Sequence, residues 1–106
     1  MINPELSIEE RIKDIVRREI DDYRVDTEQK LATLDAFRKA FREPRLITVN
    51  FSGGVRQKCW AITRSDGTYR VVFLPRAGYF SLCVESDFGP LDIGVHGSAI
   101  GCFSSV

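Results

Sequence analysis

Four turn signals in the second half of the chain, each read on its own, place one set of apolar residues on a single face of an antiparallel sheet. Gly53-Gly54 and Asp66-Gly67 read as two-residue hairpin loops whose central residues tolerate positive φ, and Pro75 to Gly78 and Ser86 to Gly89 read as four-residue loops. Counting outward from these loops sets Ile47 opposite Trp60, Trp60 opposite Phe73, Phe73 opposite Phe80 and Phe80 opposite Val95. Val71, Leu82 and Ile93 form the neighbouring ladder, with Ile62 beside it. Side chains alternate along a strand, so a slip of one residue at any turn scatters this set over both faces.

The first half of the chain carries a different period. Ser7 with Glu10 makes a capping box, and Ile8, Ile12, Ile15, Val16, Ile20 and Tyr23 then recur at helical spacing, which predicts a helix from Ser7 to Arg24. Asp26 or Thr27 can cap a second helix with the stripe Leu31, Leu34, Phe37 and Phe41, which Pro44 ends by Glu43. Strands are predicted near 46 to 51, 57 to 64, 68 to 74, 79 to 85, 91 to 96 and 99 to 103. The expected fold class is α+β, one domain over 1 to 106. An antiparallel helical hairpin (7 to 43) packs on one face of a five- or six-stranded antiparallel meander sheet (46 to 103). Trp60, Phe73 and Phe80 then lie beneath Ile12, Val16, Leu34 and Phe37. A Gly97-Ser98 loop would put Ile100 and Cys102 on the covered face, and a three-residue loop would reverse them.

Charge narrows the partners. Fifteen basic and fifteen acidic side chains give a formal charge of zero, which argues against a nucleic-acid module resting on phosphate neutralisation. No apolar run reaches the roughly 18 residues of a membrane span, and Met1 to Glu10 lacks the basic and apolar regions of a secretory signal, so a cytoplasmic location and no membrane partner are expected. Three cysteines, Cys59, Cys83 and Cys102, suit reduced thiols better than a disulfide framework. Asn50-Phe51-Ser52 matches a glycosylation sequon that such a location leaves unused.

The same register predicts the uncovered face of the sheet. Its rows read Thr63, Arg70, Cys83, Asp92 and Phe103; Leu46, Ala61, Val72, Ser81, Gly94 and Gly101; and Thr48, Cys59, Leu74, Tyr79, His96 and Ala99. The middle row is mostly small and forms a shallow trough, with Arg70 and Asp92 on one side and Tyr79 and His96 on the other. Arginine at Ser81 is expected to fill that trough and leave the fold intact. Arg70 can reach Asp92 across Cys83, as a structural ion pair or as a held guanidinium that recognises a partner's carboxylate. His96, the only histidine, could move protons near neutrality, but this register gives it no nucleophile within reach and no converging zinc ligands.

These residues point to a small non-enzymatic protein-binding module of bacterial or phage-like compactness, such as an inhibitor, immunity protein or adaptor. Its expected partner is another protein or a second copy, and no cofactor or metal is implied. The candidate contacts are Arg70, Tyr79, Ser81, Asp92 and His96 on the sheet face, with Arg76 and Phe88 in the loops, since exposed arginine and aromatic side chains anchor interfaces. The alternative is a small-molecule-binding protein or enzyme using the trough near Arg70, Asp92 and His96, with His96 as base and Arg70 holding an anion.

Overall fold

A computed structural model describes residues 7 to 106; residues 1 to 6, part of the stretch read for a secretory signal, lie outside the described residues. Two helices come first, α1 (Ile8–Asp22) and α2 (Glu28–Ala40). Both begin as the sequence implies, with Ser7 Oγ accepting from Glu10 N at 3.2 Å and Thr27 Oγ1 accepting from Lys30 N at 3.1 Å. These caps satisfy backbone donors that the helix leaves open. Five strands follow, β1 (Phe41–Asn50), β2 (Arg56–Thr63), β3 (Tyr69–Leu74), β4 (Tyr79–Val84) and β5 (Leu91–Gly97), and then a short helix α3 (Ala99–Phe103).

The helices pack on an antiparallel sheet, giving the α+β class expected. Ile12 and Val16 of α1 and Leu34 and Phe37 of α2 share one core with Ile62, Val71, Phe73, Phe80 and Leu82, and Trp60 is half-buried against it. The Asp66-Gly67 and Pro75 to Gly78 turns hold the predicted register, with Trp60 opposite Phe73, Val71 opposite Leu82 and Phe73 opposite Phe80.

Three local departures matter. The chain turns from helix to strand at Phe41 rather than after Glu43, because Pro44 forces extended backbone before it and Arg42 Nη1 donates to the carbonyls of Lys39 (2.6 Å) and Phe41 (2.8 Å). The first turn is a 3-10 turn at Ser52–Gly54 inside a five-residue connection, with Gly53 at φ 79° and Gly54 at φ 78°. That one extra step pairs Leu46 with Trp60 and Ile47 with Cys59, so Leu46 is exposed and Ile47 faces inward, the reverse of the expected faces. Finally, the sixth strand is absent, because residues 99 to 103 are helical. Ser98 Oγ accepts from Gly101 N at 3.0 Å, and the Glu19 carboxylate accepts from Ala99 N (3.0 Å) and Ile100 N (3.2 Å). Ile100 and Cys102 still reach the core, from a helix instead of a strand.

The largest difference is curvature. The uncovered face does not lie open as a trough; the sheet rolls around it until β1 meets β5 in a parallel bridge, Asn50 opposite Leu91, closing a barrel. Asn50 clasps the seam, its backbone N donating to Pro90 O at 2.9 Å and its Nδ2 donating to Phe88 O at 3.0 Å and Pro90 O at 3.2 Å. The small side chains Ala61, Ser81, Cys59 and Cys83 on the inner side leave room for the strands to converge. Val49, Cys59, Val72, Leu74 and Cys83 consequently form a second core inside the barrel, joined by Ile47 and Phe51. Ser81, expected at the floor of an open trough, is fully buried.

Candidate functional site

The chemistry-bearing side chains gather where β5 is pinched. From Val84 opposite Leu91 and Cys83 opposite Asp92, the pairing jumps to Leu82 opposite Val95, so Ile93 and Gly94 bulge out of the ladder. Gly94 takes φ 81°, a left-handed conformation that glycine adopts without strain. Because the jump is two residues, Val95 keeps its helical-side orientation; Ile93, expected in that core, is exposed. The same jump replaces the expected pairing of Phe80 with Val95 by Phe80 with Gly97.

The pinch also draws Asp92 and His96 together. Four steps of a regular strand span about 13 Å, yet His96 Nε2 lies 3.0 Å from Asp92 Oδ1 and 3.2 Å from Oδ2. Ser81, opposite His96, hydrogen-bonds its hydroxyl to the same Asp92 Oδ1. The Tyr79 ring lies 5.2 Å from the imidazole. Tyr79, Ser81, Asp92 and His96 therefore form one cluster. Arg70 does not join it. Its Cα lies opposite Cys83 as expected, but its Nε donates to Glu85 Oε1 at 2.5 Å, not to Asp92. Glu85 is two residues beyond Cys83, on the same face and diagonal to Arg70, while the Asp92 carboxylate is taken by Ser81 and His96. Arg76 and Phe88 lie in loops at opposite ends of β4, both exposed.

The order of contacts decides what this cluster can do. A serine nucleophile needs the imidazole beside its hydroxyl. Here the carboxylate stands between them, and the hydroxyl is sealed inside the barrel. The arrangement is a latch that satisfies the buried hydroxyl and fixes the bulge. No group of three or more His, Cys, Asp or Glu side chains among the described residues is placed to hold a metal ion. Among the same residues no helix is long and apolar enough to cross a membrane.

The thiols are equally sealed. Burial first, then the negative charge of Asp92, pushes Cys83 up to about 12 and Cys59 up to about 11, and burial with Glu19 pushes Cys102 up to about 11. Each shift raises the folded value above the unfolded one, so its stabilisation is complete below the free-thiol pKa of about 8.5 and is lost as pH rises through the folded values. Native protein at neutral pH is therefore expected to resist iodoacetamide, and all three thiols should alkylate rapidly in guanidinium chloride. Mass spectrometry of the two reactions checks this; rapid labelling of Cys83 in native protein would contradict the closed barrel.

Sequence reasoning had the residues of the cluster but not their meeting. Gly94 midway between Asp92 and His96 was the available signal, since a glycine inside a strand pattern marks a bulge. Glu85 was also legible, by period two from Cys83. The clasp by Asn50 was not, because its partners are the backbone carbonyls of a loop 38 and 40 residues away. Comparison with protein-family models, curated proteins and solved structures finds no match to this chain.

Proposed function

We propose that this chain is a small non-enzymatic protein-binding module, of the kind that includes inhibitors, immunity proteins and adaptors, working in the cytoplasm through the loop that carries Phe88. The observation supporting this reading is that Phe88 is 86% exposed on a loop whose backbone is tied down at several points. Ser86 Oγ donates to Gly89 O at 2.5 Å and accepts from Phe88 N at 3.2 Å, and Gly89 N donates to Ser86 O at 3.0 Å. Asn50 holds the far side through the Phe88 carbonyl. Leu91, opposite Asn50, and Val55, whose carbonyl accepts from Phe51 N at 2.7 Å, are also exposed. An aromatic ring presented on an ordered loop loses little entropy on docking, which is what a binding anchor requires.

Affinity capture with tagged protein from the cells that express it, followed by calorimetry against the recovered partner, tests the reading. Sedimentation at rising concentration covers a second copy as the partner. Phe88→Ala is expected to weaken the contact by about 2 kcal/mol, roughly thirtyfold in Kd, with the circular dichroism spectrum unchanged. An unaltered Kd in the folded variant would remove the loop from the interface.

A further inference from the structure

Two adjoining clefts open where α2, the β2–β3 hairpin and the start of β1 come together. The larger, about 620 Å³, includes Ala36, Val71, Leu82 and Phe103 in its lining and carries Lys39, Arg64 and Arg70. The smaller, about 450 Å³, shares Arg64 and Arg70 and adds Arg42 and Arg45. Five cations thus line one continuous surface of a chain whose formal charge is zero.

The acids beside them are already engaged. Among the described residues Asp66 is the sole acidic side chain lining the larger cleft, and it accepts from Thr68 N at 2.8 Å and Tyr69 N at 2.6 Å. The Tyr69 and Thr68 backbone donors, and to a smaller extent the charge of Arg64, hold its carboxyl below the ordinary value. Glu43, the sole acid among the described residues lining the smaller cleft, pairs with Lys13 of α1 at 2.7 Å. Of the cations, Arg70 is held by Glu85 and Arg42 by carbonyls at the end of α2. Lys39, Arg45 and Arg64 are exposed and form no ion pair among the described residues.

We propose that this surface docks an extended acidic segment of a partner protein, with carboxylates on Lys39, Arg45 and Arg64 and an apolar side chain seated in the larger cleft. Lys39, Arg45 and Arg64 outnumber the one carboxylate beside them, Asp66, and Arg70 and Glu43 already have ion-pair partners, so the surplus charge calls for an anionic occupant. The apolar part of the lining and the absence of net positive charge select a peptide over a nucleic acid, whose binding rests on a strongly basic surface. The site is separate from the Phe88 loop and goes beyond the reading given for it.

Fluorescence anisotropy tests this with three probes: a labelled peptide alternating glutamate with leucine, its lysine-leucine counterpart, and a labelled oligothymidylate. Saturable, salt-sensitive binding of the acidic peptide alone is expected. Lys39→Glu combined with Arg64→Glu should weaken it at least about tenfold, whereas Phe88→Ala should leave it unchanged. If the double variant does not fold, Arg45→Glu supplies the same comparison. Absence of saturable peptide binding, tighter binding of the oligothymidylate, or an unchanged Kd in the folded charge-reversed protein would overturn the proposal. Loss of peptide binding in Phe88→Ala alone would overturn its placement and move the peptide to the Phe88 loop, whereas the other results leave capture through that loop untouched.

Discussion

Phe73→Ala is expected to destabilise the protein by about 3 to 5 kcal/mol, the range for deleting a buried aromatic ring and leaving a cavity behind. Phe73 is only 5% exposed and occupies the middle of the cross-strand row Trp60, Phe73, Phe80, with its ring centroid 5.1 Å from that of Phe80. It belongs to the core that Ile12, Val16, Leu34 and Phe37 complete from the helices, so its loss loosens both layers at once. Domains of this size have total stabilities on the order of 5 to 15 kcal/mol, and the variant should therefore be marginal. Urea unfolding, compared at constant slope, measures the difference. A loss below about 1 kcal/mol would mean that this row does not anchor the helical layer.

What could be read from residues alone was parity, and what could not was curvature. Asp66-Gly67 and Pro75 to Gly78 demand particular backbone conformations, so the central three strands took their register from local chemistry. Gly53-Gly54 carried the same signal and misled by one residue, because a 3-10 turn accommodates the pair as well as a tight hairpin does. That error flipped only β1, exchanging Leu46 with Ile47. At Ile93 and Gly94 the irregularity was two residues, which left the faces intact but moved Asp92 next to His96. The last segment failed for another reason. Its first helical donors are satisfied by Glu19, 80 residues earlier, and no local pattern announces so distant a cap. The clue to closure was present in the small residues of the uncovered face. Small side chains at a sheet centre allow close approach, and what approaches is the sheet's own far edge, not a partner. The candidate site was accordingly legible as a set of residues and illegible as a surface: Tyr79 and His96 remain exposed, while Ser81 became interior.

Ser81→Arg is the substitution that separates the closed barrel from an open trough most sharply. On an open face, arginine at this position would be tolerated; within the barrel it should prevent stable folding. The Ser81 side chain points into a space bounded by Val72 and the neighbouring barrel lining, where Cys59 and Cys83 are completely buried. A guanidinium there has no room, because forcing even extra methylenes into a packed core costs about 1 to 3 kcal/mol. It also brings a charge that must be desolvated, at several kcal/mol. Asp92 could offer it one partner, but the substitution has already removed the hydroxyl that Asp92 accepts from, and a guanidinium drawing on this carboxylate competes with His96 for it. The combined loss is expected to exceed about 4 kcal/mol, the exceptional end of single substitutions. Ser81→Ala supplies the control. It removes the hydroxyl without adding volume, frees one lone pair of a carboxylate that His96 still engages, and should cost only about 1 kcal/mol. Thermal unfolding followed by circular dichroism compares the two: a folded, cooperatively melting Ser81→Arg protein with a midpoint near that of Ser81→Ala would show that the barrel opens readily at this face.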